Sequence, residues 1–157
     1  SWERWAIAAV YGGGLGNEAE IGRSTTVTVD GAALVAGNVY GGGDAGDVVQ
    51  TATVTVKGTA QVNDVFGAGK GTLSDVEGLD LSGKADPATT TFVTIGERAV
   101  VKGSVYGGAE EGSVRLASDD YAYNTTKVNV ENGRVRNRRK RERDYRTEKA
   151  ERLSDTR

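Results

Sequence analysis

The sequence predicts an all-β protein, a parallel β-helix (solenoid) of about four coils with a basic helical tail at its C-terminus. Three observations predict it. One glycine-rich phrase returns four times, an alternating Val/Thr run follows each copy, and large apolar residues are too scarce for a wide core. The 157 residues include 23 Gly but only two Phe and two Trp. Such a chain buries small and β-branched side chains in thin layers, as repeat architectures do. With a single Pro and no G-X-Y period, neither collagen nor a Pro-rich linker fits.

The phrase is Val-Tyr-Gly-Gly-Gly at Val10–Gly14 and Val39–Gly43. It recurs as Val65-Phe66-Gly67-Ala68-Gly69 and Val105-Tyr106-Gly107-Gly108-Ala109, at spacings of 29, 26 and 40 residues. A fixed phrase at such a period is the mark of a repeat. The alternating runs are Thr26–Val29, Thr53–Val56, Phe92–Ile95 and Lys127–Val130. Alternation of apolar and polar residues predicts half-buried strands. Val27, Val29, Val54, Val56, Val93, Ile95, Val128 and Val130 should then point inward. Each run ends at a turn pair: Asp30-Gly31, Lys57-Gly58, Gly96-Glu97 or Asn132-Gly133. A third phrase, Ala-x-Val, stands at Ala33/Val35, Ala60/Val62 and Ala99/Val101 and leads into the next glycine phrase.

Copies with the same internal order stack like on like if their strands run parallel, about 4.8 Å apart. A β-sandwich is the competing fold, since short regular strands also suggest one. The sandwich explains a repeat of hydrophobicity but not a repeat of whole phrases. The repeat domain is expected over residues 1–133, with polar insertions at about 72–91 and 115–126 leaving through one corner. The chain opens in mid-coil, Ala6 and Ile7 standing where Val35 and Ala36 stand one repeat later. Trp2 and Trp5 either fold over that end as a lid or contact another chain.

Residues 134–157 are a different material. They carry 11 basic and 5 acidic residues, a net of +6, against 9 basic and 17 acidic, a net of −8, over residues 1–133. Glu142/Arg146 and Glu148/Arg152 have helical i,i+4 spacing. A solvated helix, or a helix resting on acidic coils, is the plain reading. The run Arg138, Arg139, Lys140 and Arg141 also suits pairing with a neighbouring subunit's acidic flank. Nucleic acid is disfavoured, because no aromatic residues interleave the charges and the acidic domain repels phosphate.

Several chemistries are excluded. Without Cys or His there is no disulfide, thiol nucleophile, imidazole base or ligand of either type. No apolar run approaches the roughly 20 residues of a membrane span. The opening lacks the pattern of a secretion signal, and Ser1 stands in place of an initiator Met, which suggests a processed product or a piece of a longer array. No motif implies a cofactor. Gly67-Ala68-Gly69-Lys70-Gly71-Thr72 has the wrong spacing for a phosphate loop. Adjacent acids such as Glu110/Glu111 and Asp119/Asp120 point to opposite faces of a strand and make poor catalytic pairs. Outward threonines at 26, 28, 53 and 55 begin an array that coils three and four do not continue.

Two candidate sites remain. Tyr11, Tyr40, Phe66 and Tyr106 share one position per coil, forming either a sugar-binding platform or a packing ladder. Asp44, Asp47, Glu110 and Glu111, with Glu18 and Glu20, follow the glycine corners. They form either an oxygen-ligand site for a hard cation or a solvated acidic edge.

Over residues 6–133 the Gly-rich, Val/Thr-rich coils resemble those of bacterial surface and adhesin-like β-helix repeat proteins. The resemblance implies an extracellular or cell-surface setting and a non-enzymatic structural or adhesive role. Open coil ends add the expectation of end-to-end association, with a second copy or neighbouring repeats as partner. Carbohydrate binding or cleavage is the alternative.

Overall fold

The computed structural model describes residues 6–16, 18–71, 76–78, 89–111, 114–116 and 125–136. In chain order the strands are β1 (Val10–Tyr11), β2 (Thr25–Val29), β3 (Val39–Tyr40), β4 (Ala52–Val56), β5 (Gln61–Val62), β6 (Val65–Phe66) and β7 (Val76–Gly78). They continue as β8 (Thr89–Ile95), β9 (Val100–Val101), β10 (Val105–Tyr106), β11 (Val114–Leu116), β12 (Thr125–Val130) and β13 (Arg134–Val135). The described residues contain no helix, so none is long and apolar enough to cross a membrane. The described residues are all-β.

Every pairing between strands is parallel, and every row draws one member from each successive copy. Row A is β1-β3-β6-β10, with Val10, Val39, Val65 and Val105 in register. Row C is β2-β4-β8-β12, where Val27, Val54, Val93 and Val128 are aligned. Row D is β5-β9-β13, extended by bridges from Leu34 to Gln61 and from Ile7 to Val35. A fourth row, B, joins Ile21, Val48, β7 and β11. Among the described residues no strand pairing is antiparallel, in keeping with the order of the repeated phrases.

Alternation does what it predicts. β2 reads buried-exposed along its length, and seven of the eight expected inward residues are buried, from Val27 to Val128. Val130, in the last copy, is partly buried against the same core. Val35, Val62, Val101 and Val135 with Ala60 and Ala99 complete that core from row D. Thr25, the first residue of β2, and Thr91, the third of β8, are both buried. Their Oγ1 atoms donate to the Gly41 and Gly107 carbonyls at 2.6 and 2.5 Å, tying each strand to a glycine corner.

Four expectations need correction. First, the stretch 72–91 is not simply an excursion. It holds β7, whose Val76 is fully buried with Val48, Ala52 and Ala68, and its last three residues open β8. Second, the stretch 115–126 likewise starts within β11 and ends within β12. Third, Ile7, not Ala6, bridges Val35, because the β-branched side chain belongs to the Val column. Fourth, the repeat does not stop at Gly133: Arg134 and Val135 pair with Val100 and Val101, and Val135 is buried. The expected helix therefore does not begin at residue 134; residues 137–157 lie outside the described set.

At the turns, the left-handed residue is always the second after the last inward residue of row C. It is Gly31, Gly58, Glu97 and Asn132, with φ of 61°, 68°, 53° and 62°. Gly96 and Gly133 are therefore not the residues that supply positive φ. Glu97 tolerates the position with its Oε2 accepting a 2.6 Å bond from the Gly58 N–H of the preceding copy.

Candidate functional site

Row A fixes the second residue of each Val-aromatic pair at the strand spacing, so the four rings stack. Tyr11–Tyr40, Tyr40–Phe66 and Phe66–Tyr106 have centroids 4.8, 5.1 and 4.8 Å apart and planes within 2°, 7° and 8°. The structure thus brings together all four candidate ligand residues, but face to face with one another. Tyr40 is 2% exposed and Phe66 5%. A sugar platform offers an open ring face, and the two inner rings have none. The two inner rings are packed between their neighbours.

The polar ends of the ladder are wired to the neighbouring corners. Asn38 Nδ2 donates to the Tyr40 hydroxyl at 3.1 Å, and that hydroxyl donates to Glu110 Oε2 at 3.1 Å. Burial pushes the Tyr40 phenol up to about 12; the Asn38 bond acts in the opposite direction and Glu110 adds to the rise. A phenol with a folded pKa above its unfolded value holds its proton more tightly in the folded protein. Its contribution to stability is therefore complete below about pH 10 and lost as pH rises towards 12. Denaturant titrations across this window should show the loss in the parent and a smaller one in Tyr40→Phe.

Asp44 and Glu110 both act on Lys70, whose ammonium is held above its usual range by Tyr11 first and then by Asp44, with a smaller contribution from Glu110. Lys70 is fully exposed, so these are surface contacts. Among the described residues no three carboxylates gather as a metal site requires. Asp44, Asp47, Glu110 and Glu111 are thus not assembled into the candidate cation site. Glu110 is committed to Tyr40, Glu111 is exposed with its N–H on the Lys70 carbonyl, and the Asp47 carbonyl accepts from Ile21. Successive corners hand these acids to different partners.

A second ladder, which the sequence reading missed, runs beside the aromatic one. Asn38 Oδ1 accepts the Asp64 N–H at 3.0 Å, and Asp64 Oδ1 accepts the Ser104 N–H at 2.7 Å. Asn63 Nδ2 also donates to Asn38 Oδ1, at 2.9 Å. The signal was present as a small polar residue directly before Val39, Val65 and Val105. In each step the side chain of one copy receives the backbone of the next. Ser104 ends the series: its Oγ is buried with no hydrogen-bond partner among the described residues. An orphaned buried hydroxyl costs about 1–3 kcal/mol. Ser104→Ala is accordingly expected to stabilise the isolated chain by about 1 kcal/mol in urea unfolding; a loss of that size would show the hydroxyl to be bonded.

Trp2, Trp5, Arg138, Arg139, Lys140 and Arg141, the candidate assembly residues, lie outside the described residues. Among the described residues Ile7 and Leu15 are the large apolar side chains left open, 48% and 79% exposed. Leu15 borders a shallow hollow with Tyr11, Gly13, Gly14 and Asp44. Comparisons with family models, with curated proteins and with solved structures return no match.

Proposed function

We propose that the chain is a non-enzymatic structural module, a parallel β-solenoid of about four coils, serving as a scaffold or adhesive element at a bacterial surface. The observation that carries the reading is the like-on-like register of rows A to D. It spends the repeated phrases on packing: valines fill the interior, glycines form the corners and the aromatic rings cover one another. What is left for function is extended outer surface and two strand-bearing ends. Those ends offer backbone edges of the kind that template further strands, and head-to-tail stacking of copies is part of the proposal. The surface setting rests on the resemblance of repeat style alone. The helical i,i+4 pairs at Glu142/Arg146 and Glu148/Arg152 support a helical tail beyond the last strand.

Carbohydrate binding is the rival reading, and the burial of Tyr40 and Phe66 between neighbouring rings disfavours it. A glycan array together with a reducing-end assay on polysaccharides separates the two. A scaffold gives neither retention nor product; specific retention of one glycan class, or release of reducing ends, would overturn the proposal.

A further inference from the structure

Among the described residues, rows A, B and C each hold four members, while row D holds five. Its members are Ile7, Val35, Val62, Val101 and Val135. The extra member matters when two copies are set end to end. In the internal register, β1 of a second copy follows β10, Ile21 follows Val114 and β2 follows β12. That placement brings the second copy's Ile7 onto Val101, where Val135 already lies. Shifting the second copy one layer outward, so that its Ile7 rests on Val135, leaves rows A, B and C each short of a layer.

We propose that Arg134–Arg136 is a displaceable end strand: it occupies the place that Ile7 of a second copy needs, and copies join head to tail only when it is out. The inference rests on the stacking read above. Ser104 supports the second copy as occupant. Its Oγ stands in the series in which Asn38 and Asp64 each accept the next layer's N–H, and in the stacked register the donor is the second copy's Ala9. The strand is also the kind that leaves readily. Val135 is buried, and the Arg134 and Arg136 N–H groups donate to the Ala99 and Val101 carbonyls at 2.9 and 2.8 Å. Against these, the register sets Arg136 beside Lys102, and Arg134 shares a surface hollow with Arg98. Like charges on neighbouring strands repel. The basic segment thus blocks association, whereas bridging to an acidic flank would have it promote association.

The two roles predict opposite signs on truncation. Sedimentation over a concentration series would compare the full chain, a chain ending at Arg136, a chain ending at Gly133, and full-length Val135→Asp. The first two should remain monomeric. The last two should show a weight-average mass that climbs with concentration to about twice the monomer or beyond, twofold being the limit that joining two copies gives. Adding Ile7→Asp, at a position exposed in the single copy, should return both to monomers. Far-ultraviolet circular dichroism checks the fold, and Val135→Asp keeps the test open if the chain ending at Gly133 does not fold. Equal association of all four chains would overturn the displaceable strand and leave stacking intact. Association that survives Ile7→Asp would also overturn it. Folded chains that are all monomeric would sink the stacking reading and the inference with it.

Discussion

Gly41→Ala is expected to cost more than about 3 kcal/mol, since a methyl group forced into a packed interior costs 1–3 kcal/mol even where side chains can move. Here the obstacle is backbone. A Cβ on Gly41 would fall on the Gly67 carbonyl oxygen of the next copy, with Val54 Cγ2 at 3.0 Å and Ala52 Cβ at 3.1 Å closing the other sides. The same collision awaits a Cβ on Gly12, against the Gly41 carbonyl, and on Gly67, against the Gly107 carbonyl. The first glycine of the first three phrases is therefore present for close approach between copies. Gly22→Ala is the control. Its Cβ meets nothing within 4 Å, and Gly22 has no positive φ. It should be neutral or stabilise by about 0.4–1 kcal/mol through the unfolded chain. Equilibrium urea unfolding reads both, and a Gly41→Ala midpoint equal to that of the parent would refute the close-approach account.

Tyr40→Ala should be comparably damaging, by about 3–5 kcal/mol, the range for removing a large buried ring. It opens a cavity between Tyr11 and Phe66 and breaks two of the three stacked pairs at once. Tyr40→Phe keeps both pairs and loses the hydroxyl bonds to Asn38 and Glu110. That change should cost about 1 kcal/mol, the usual net worth of a hydrogen bond. A wide gap between the two variants is the signature of a packing ladder. If Tyr40→Phe proved as harmful as Tyr40→Ala, the hydroxyl and not the ring would be the group that matters. Stability that fell little in Tyr40→Ala would reopen the ring position to a ligand-binding role.

Rows A, C and D were legible because each is marked by a repeated pair or an alternating run. Row B was not. Ile21, Val48, Val76 and Val114 are single β-branched residues set in glycine-rich or polar surroundings, nine to eleven residues after the valine of each glycine phrase. A strand that amounts to one bridge has no periodicity to detect. The acidic candidates failed for a related reason: proximity in sequence to a glycine corner does not set the direction in which a carboxylate leaves it. The Asn38/Asp64/Ser104 ladder was overlooked because three different residue types perform one task, receiving a backbone N–H from the next copy.

By itself the sequence determined the repeat, the inward residues and the parallel order, since these follow from side-chain alternation and from identical phrases seeking identical neighbours. Tertiary structure alone decided the one-residue adjustment that brings Ile7 to Val35, the left-handed placement of Glu97 and Asn132, and the fifth member of row D. Each depends on where one copy's backbone lies against the next. That distance is fixed by hydrogen bonds and close contact across the stack, and no local pattern in a linear chain encodes it.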